Sequence, residues 1–208
     1  MTRKPQASRA QRREQIERQL LDATDRLMAA GASITELSVD RLATEAGISR
    51  ASFYIYFEDK GHLLRRLATR VFGDLTDAAQ LWWTVSDRRD ASDVRAAMAA
   101  IIAAYRQHQP VLVALNEMAP YDAAVGDTYR ELLAEVSNGF RAVIAEGQKS
   151  GAIRAQLHPE TTANALVLMV ERTCQQNLPS KPASFDAELA DTLTEIVWGA
   201  LYLAPVPD

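Results

Sequence analysis

The sequence predicts an all-α fold of roughly nine helices, on three observations. Apolar residues recur at helical spacing along most of the chain. No stretch alternates apolar and polar residues between turn signals, as a half-buried strand would. No internal repeat or low-complexity tract interrupts the pattern.

The elements follow in order. Ile16, Leu20, Ala23 and Leu27 share one face of a helix over 11–30, which Gly31 closes. Ser38 is placed to cap a short second helix with an apolar face of Val39, Leu42, Ala43 and Ala46, and Gly47 breaks it. Ser49 caps a third helix over 50–57. Lys60 and Leu63 open a longer one that runs to about Trp83, and the polar residues 84–92 read as a loop. Val94, Met98, Ile101 and Tyr105 mark the next helix. Pro110, suited to a first helical turn, opens another through Met118. Residues 120–127 read as a connection. Tyr129, Leu133, Val136, Phe140 and Ile144 define a long helix ending near Gly151. Pro159 begins a helix carrying Leu166, Val167, Met169 and Val170. A loop with two prolines covers 178–184, and the last helix spans 185–203.

With 208 residues, 48% hydrophobic and 24% charged, the chain can bury a core and is not disordered. Its longest uncharged mid-chain stretch, 96–105, is too short to cross a bilayer, which needs about 20 apolar residues. The basic start lacks the apolar run of a secretory signal, and the single cysteine, Cys174, cannot form an internal disulfide. A cytoplasmic protein with no membrane partner is expected. Net charge is −4, but residues 1–70 carry 13 Lys/Arg against 9 Asp/Glu, whereas 71–208 carry 10 against 18. A basic module joined to an acidic body suggests that the first segment meets an anion.

The chemistry concentrates in residues 38–63. Two short helices separated by Gly-Ile-Ser have helix-turn-helix spacing, with Gly47 where the turn needs an unusual backbone angle. Phe53 and Phe57, at i and i+4, turn to the core. Arg50, Ser52, Tyr54 and Tyr56 are thereby left to project outward, as a recognition helix in a major groove requires. Lys60 stands at the start of the next helix, where it could hold a phosphate.

The run from Ser38 to Lys60, with its Ala-Gly-Ile-Ser and Phe-Tyr-x-Tyr-Phe-x-x-Lys segments, resembles the DNA-binding signature of the TetR family of bacterial transcriptional regulators. The resemblance covers about residues 12–72 as a DNA-binding domain, leaving 73–208 as a helical effector-binding and dimerisation domain. It implies a homodimeric regulator, usually a repressor, that leaves a double-stranded DNA operator when a small-molecule effector binds. By motif position, Ser38, Arg50, Ser52, Tyr54, Tyr56 and Lys60 match sites that touch DNA. Gly61 replaces the family's usual acidic residue after the lysine. Leu168–Thr173, followed by Leu193–Tyr202, is similar to the last two helices of the subgroup that includes the mycobacterial ethionamide-activation repressor. Val167 and Val170 stand where that subgroup places ligand-binding asparagines.

In the body, Met98, Ile101, Tyr105, Leu115, Asn116, Tyr129, Leu133, Val136 and Val170 are the candidate lining of an effector site. Few full charges fall on these stripes, so the effector is expected to be largely apolar, uncharged or weakly charged. Asn116 reads equally well as a helix-surface residue, and the aromatics as plain core. Glu171 and Arg172 need separate partners and read as a subunit-interface ion pair. At least one of Trp82 and Trp83 is expected to pack between head and body. A dimer through 159–178 and 185–203 is expected from surplus apolar residues Leu166, Val170, Leu193, Ile196, Val197 and Leu201. His62, His108 and His158 form no metal pair, and no phosphate loop or nucleophile elbow occurs, so no catalytic residue, metal or cofactor is expected. A helical binding or scaffold protein without DNA binding is the alternative reading.

Overall fold

The computed structural model describes residues 9–83 and 90–202. The loop expected over 84–92 lies mostly outside the described residues, as does Leu203. Among those described, the regular structure is helical throughout: α1 (Arg9–Ala29), α2 (Val39–Glu45), α3 (Arg50–Tyr56), α4 (Lys60–Trp83), α5 (Ala91–Met118), α6 (Ala123–Lys149), α7 (Pro159–Asn177) and α8 (Asp186–Tyr202), with a 3-10 turn at Ala183–Phe185. No described helix is long and apolar enough to cross a membrane.

Two compact units emerge, one of residues up to Ala68 with Pro110–Asp127, the other of Thr69–Gln109 with the chain from Thr128 onward. In the first, Leu20, Ile34, Leu42, Phe53, Leu63 and Leu64 are fully buried, each with 0% exposure. A side chain of this size contributes ~1.5–3 kcal/mol on full burial. The caps form as the sequence predicts. Ser38 Oγ accepts from Arg41 N at 3.2 Å and Ser49 Oγ from Ser52 N at 3.1 Å. Gly47 takes φ +69° in the turn, a backbone that side-chain-bearing residues rarely adopt.

Two boundaries differ from the expectation. The break at Pro110 does not occur, and α5 runs through it. The turn before the proline is anchored by tertiary contacts. Arg106 donates to the Leu178 carbonyl, to Pro182 O at 3.1 Å and to Asp186 Oδ1 at 2.7 Å, pinning the α7–α8 connection. His108 is 5% exposed, its Nε2 2.8 Å from Asp74 Oδ2 without hydrogen-bond alignment. With Val111, Leu112 and Leu115 also buried, burial outweighs the ~3 kcal/mol that proline costs inside a helix. The second difference is the start of α6, which lies within the expected connection over 120–127. Asp122 caps it, Oδ1 accepting from Val125 N at 3.1 Å and the carbonyl from Gly126 N at 3.0 Å.

The apolar supply of α7 and α8 is also distributed differently. Leu166, Leu193, Val197 and Leu201 are buried within the protomer and Val170 is half-buried. Ile196 is 45% exposed, and Leu168, not among the expected residues, is 42% exposed.

Candidate functional site

The helix-turn-helix geometry sorts α3 by its two faces. Phe53 is buried with its ring centroid 5.7 Å from Phe57, and this inward pair turns Arg50, Ala51, Tyr54 and Ile55 to solvent. Arg50 pairs with Asp40 Oδ2 at 2.8 Å and its guanidinium carbon lies 5.8 Å from the Tyr54 ring centre, both contacts at the surface. The hydrogen bond with Tyr54 and the charge of Asp40 both favour its cationic form. Ser52 and Tyr56 are half-buried, and Ser52 Oγ is 2.9 Å from Ser49 Oγ. Ser38 is exposed, with its hydroxyl engaged as the α2 cap.

Lys60 is half-buried and bonded within the chain. Its Nζ donates to Ile34 O at 3.1 Å and Thr35 O at 2.7 Å. Two of its three donors thus tie the start of α4 to the α1–α2 connection. The neighbouring Gly61 has a local reason: a Cβ there would stand 2.5 Å from Asp122 Oδ2 and 3.2 Å from Asp59 Oδ1. An acidic side chain would meet two carboxylates, both serving as helix caps.

Sequence reasoning passed over Ile55, which is 71% exposed on the recognition helix. The signal was available: with Phe53 and Phe57 inward, 100° per residue puts Ile55 on the opposite face. A bare isoleucine there offers an apolar contact of the kind made to a thymine methyl.

The second unit contains an apolar cavity of about 80 Å³. Met98, Ile101, Tyr105, Leu133, Val136 and Val170 line it. Tyr129 stands just behind the wall, donating its hydroxyl to Glu171 and set edge-on to Phe72 at 5.8 Å. Leu115 and Asn116 do not line it: Leu115 is buried in the first unit and Asn116 is exposed. The continuous α5 explains this, because Pro110 opens no new helix that would turn them inward.

Trp82 and Trp83 line the cavity. Trp83 stacks on Phe140 at 6.0 Å and 8°, and Trp82 meets the same ring edge-on at 5.3 Å. Glu171 and Arg172 have separate partners within the chain. Glu171 is 9% exposed and lines the cavity, while Arg172 is exposed and donates to Gln175. Burial, and then the hydrogen bond to Glu171, push the Tyr129 phenol far above its ordinary range. Burial, and then the charge of Glu171, do the same for Tyr105. Both remain neutral hydroxyls. Burial pushes the Cys174 thiol up to about 12, the opposite of what a reactive thiol needs.

Comparison with known proteins meets this geometry at both ends of the chain. The family described as bacterial regulatory proteins, tetR family, matches residues 20–67, and that described as transcriptional regulator EthR, C-terminal domain, matches residues 94–203. The chain belongs to the TetR family, with an EthR-type C-terminal domain. It is 29% identical over 171 residues to the HTH-type transcriptional regulator EthR of Mycobacterium tuberculosis, covering 81% of this chain and 79% of that one. A putative TetR-family regulator of Mesorhizobium loti superposes with a TM-score of 0.73 at 15% identity, over 92% of this chain and 99% of that one. The Bacillus subtilis regulator FadR, solved with stearoyl-CoA, superposes with a TM-score of 0.70 at 15% identity, over 89% and 99%. These TetR-family members are DNA-binding transcriptional regulators and not enzymes. Family membership therefore decides against a scaffold without DNA binding.

Proposed function

We propose that the protein is a repressor that binds a two-fold-symmetric operator as a homodimer in the cytoplasm and leaves it when a small, largely apolar effector enters the cavity. The observation that carries this reading is the pairing of an outward-facing α3 with an apolar chamber lined by Trp82, Trp83, Tyr105 and Phe140 in a separate unit. Arg50, Tyr54 and Ile55 are the side chains for base edges. Ser38, Ser52 and Tyr56 position the helix on the backbone. Lys60 acts by holding α4 against the α1–α2 connection.

The dimer uses α7 and α8, whose exposed Leu168 and Ile196 are costly to leave in water. Two-fold symmetry then presents two recognition helices to two half-sites. EthR and FadR, which this chain resembles, support the regulatory reading. The test is fluorescence anisotropy of duplexes from the DNA flanking the gene, against unrelated competitor duplex. A duplex bound at least tenfold more tightly than competitor supports the reading, and equal binding of all duplexes contradicts it. Light scattering gives the second arm. The protein is expected as a dimer at micromolar concentration, and Leu168→Glu with Ile196→Glu as a folded monomer.

A further inference from the structure

Glu171 is the single charged side chain among the described residues that line the cavity. The rest of that wall is apolar apart from Tyr105. A carboxylate in such surroundings is costly unless hydrogen bonds and an opposite charge meet it. The Tyr129 hydroxyl donates to Oε1, supplying one of the roughly four hydrogen bonds that a carboxylate accepts. No lysine, arginine or histidine is among the described lining residues.

Two neighbouring arginines have partners of their own. Arg172, next in sequence, is exposed and donates to Gln175. On α5, Arg106 is held by Asp186 and two carbonyls. The wall therefore supplies a negative charge and leaves the countercharge to whatever fills the chamber.

We propose that the effector is an amphiphilic monoamine, whose apolar body fills the space between the tryptophans and Val170 and whose protonated amine pairs with Glu171. This rests on the reading of the cavity as the effector site and names its chemistry. It narrows the largely apolar, uncharged or weakly charged effector that the sequence suggests to one with a single positive charge. An anionic head would be repelled by Glu171 and a neutral one would leave it without countercharge. Tyr129, donating to Oε1, positions the carboxylate, and the amine takes its remaining lone pairs.

The experiment titrates n-decylammonium, 1-decanol and decanoate into the full chain, following tryptophan fluorescence, since Trp82 and Trp83 line the cavity. Decylammonium is expected to bind about tenfold or more tightly than 1-decanol, the increment of a charge-assisted hydrogen bond, with decanoate weakest. In Glu171→Gln the amine should fall to the level of the alcohol. Unchanged 1-decanol binding in that variant shows that the cavity has survived. Tyr129→Phe should keep the amine preference. Equal affinity for amine and alcohol in the native protein, or a preference that persists in Glu171→Gln, overturns the proposal while leaving the cavity as a site. Saturable binding of none of the three, or binding unaffected by Val170→Trp, overturns the cavity reading as well.

Discussion

The first unit has a buried apolar core and the second encloses a cavity, although both are helical. In the first, Phe53, Leu42, Leu63 and Leu64 have no exposure. In the second, Trp82, Met98, Tyr105 and Phe140 surround empty space. A filled core makes a rigid platform, and a rigid platform fixes which side chains of α3 face outward. A hollow core forgoes dispersion contacts and keeps room for a molecule. Tight packing therefore belongs to the unit that reads a sequence, and looser packing to the one that holds a ligand.

Four variants break or sharpen that contrast. The largest effect is expected from Phe53→Ala. Removing a fully buried ring from a filled core should cost about 3–5 kcal/mol, read by denaturant unfolding. A loss below about 1 kcal/mol would mean that the head is not closely packed. Next comes Arg50→Ala or Tyr54→Ala, expected to weaken operator binding by about tenfold to a hundredfold per half-site and to relax preference at one base pair. Their thermal unfolding should be unchanged, since both side chains sit at the surface.

Lys60→Met is third. Losing two charge-assisted bonds to carbonyls should destabilise the head by about 1–2 kcal/mol. The salt dependence of DNA binding should stay as it is, because no phosphate contact is removed. A flattened salt slope with unchanged stability would restore Lys60 to the DNA-contacting set. The smallest effect is expected from Val136→Phe, which adds volume to the chamber. Filling it should stabilise the protein by about 0.5–1 kcal/mol in a thermal melt while weakening decylammonium binding. A clear destabilisation would show that the chamber is not free to be filled.

The head was more legible in the sequence than the body. In α3 two short-range rules agree. Ser49 caps, and Phe53 with Phe57 set the phase, so the inward pair follows from local chemistry, but Ser52 and Tyr56 are half-buried and the exposed Ile55 was passed over. Lys60 escaped that logic because its partners, Ile34 and Thr35, are distant in sequence and present only backbone carbonyls. In the body, periodicity identified six lining residues but not which faces enclose a void, since core and cavity wall have the same composition. Two features were not legible locally. Pro110 suggested a helix boundary, yet Arg106 in the preceding turn finds an acidic partner that only the tertiary fold supplies. Glu171 read as part of a subunit-interface ion pair because nothing local shows that Tyr129 bonds it.

The central claim is that an occupant of the hollow unit controls what the filled unit does to DNA. A ligand shifts such an equilibrium only by its differential affinity for the two states, and the coupling is reciprocal. The direct measurement is a pair of calorimetric titrations of n-decylammonium into the protein, one free and one saturated with operator duplex. The account predicts weaker binding to the operator complex, by the same factor by which decylammonium weakens operator affinity in anisotropy. Saturable binding with the same affinity in both titrations would contradict it.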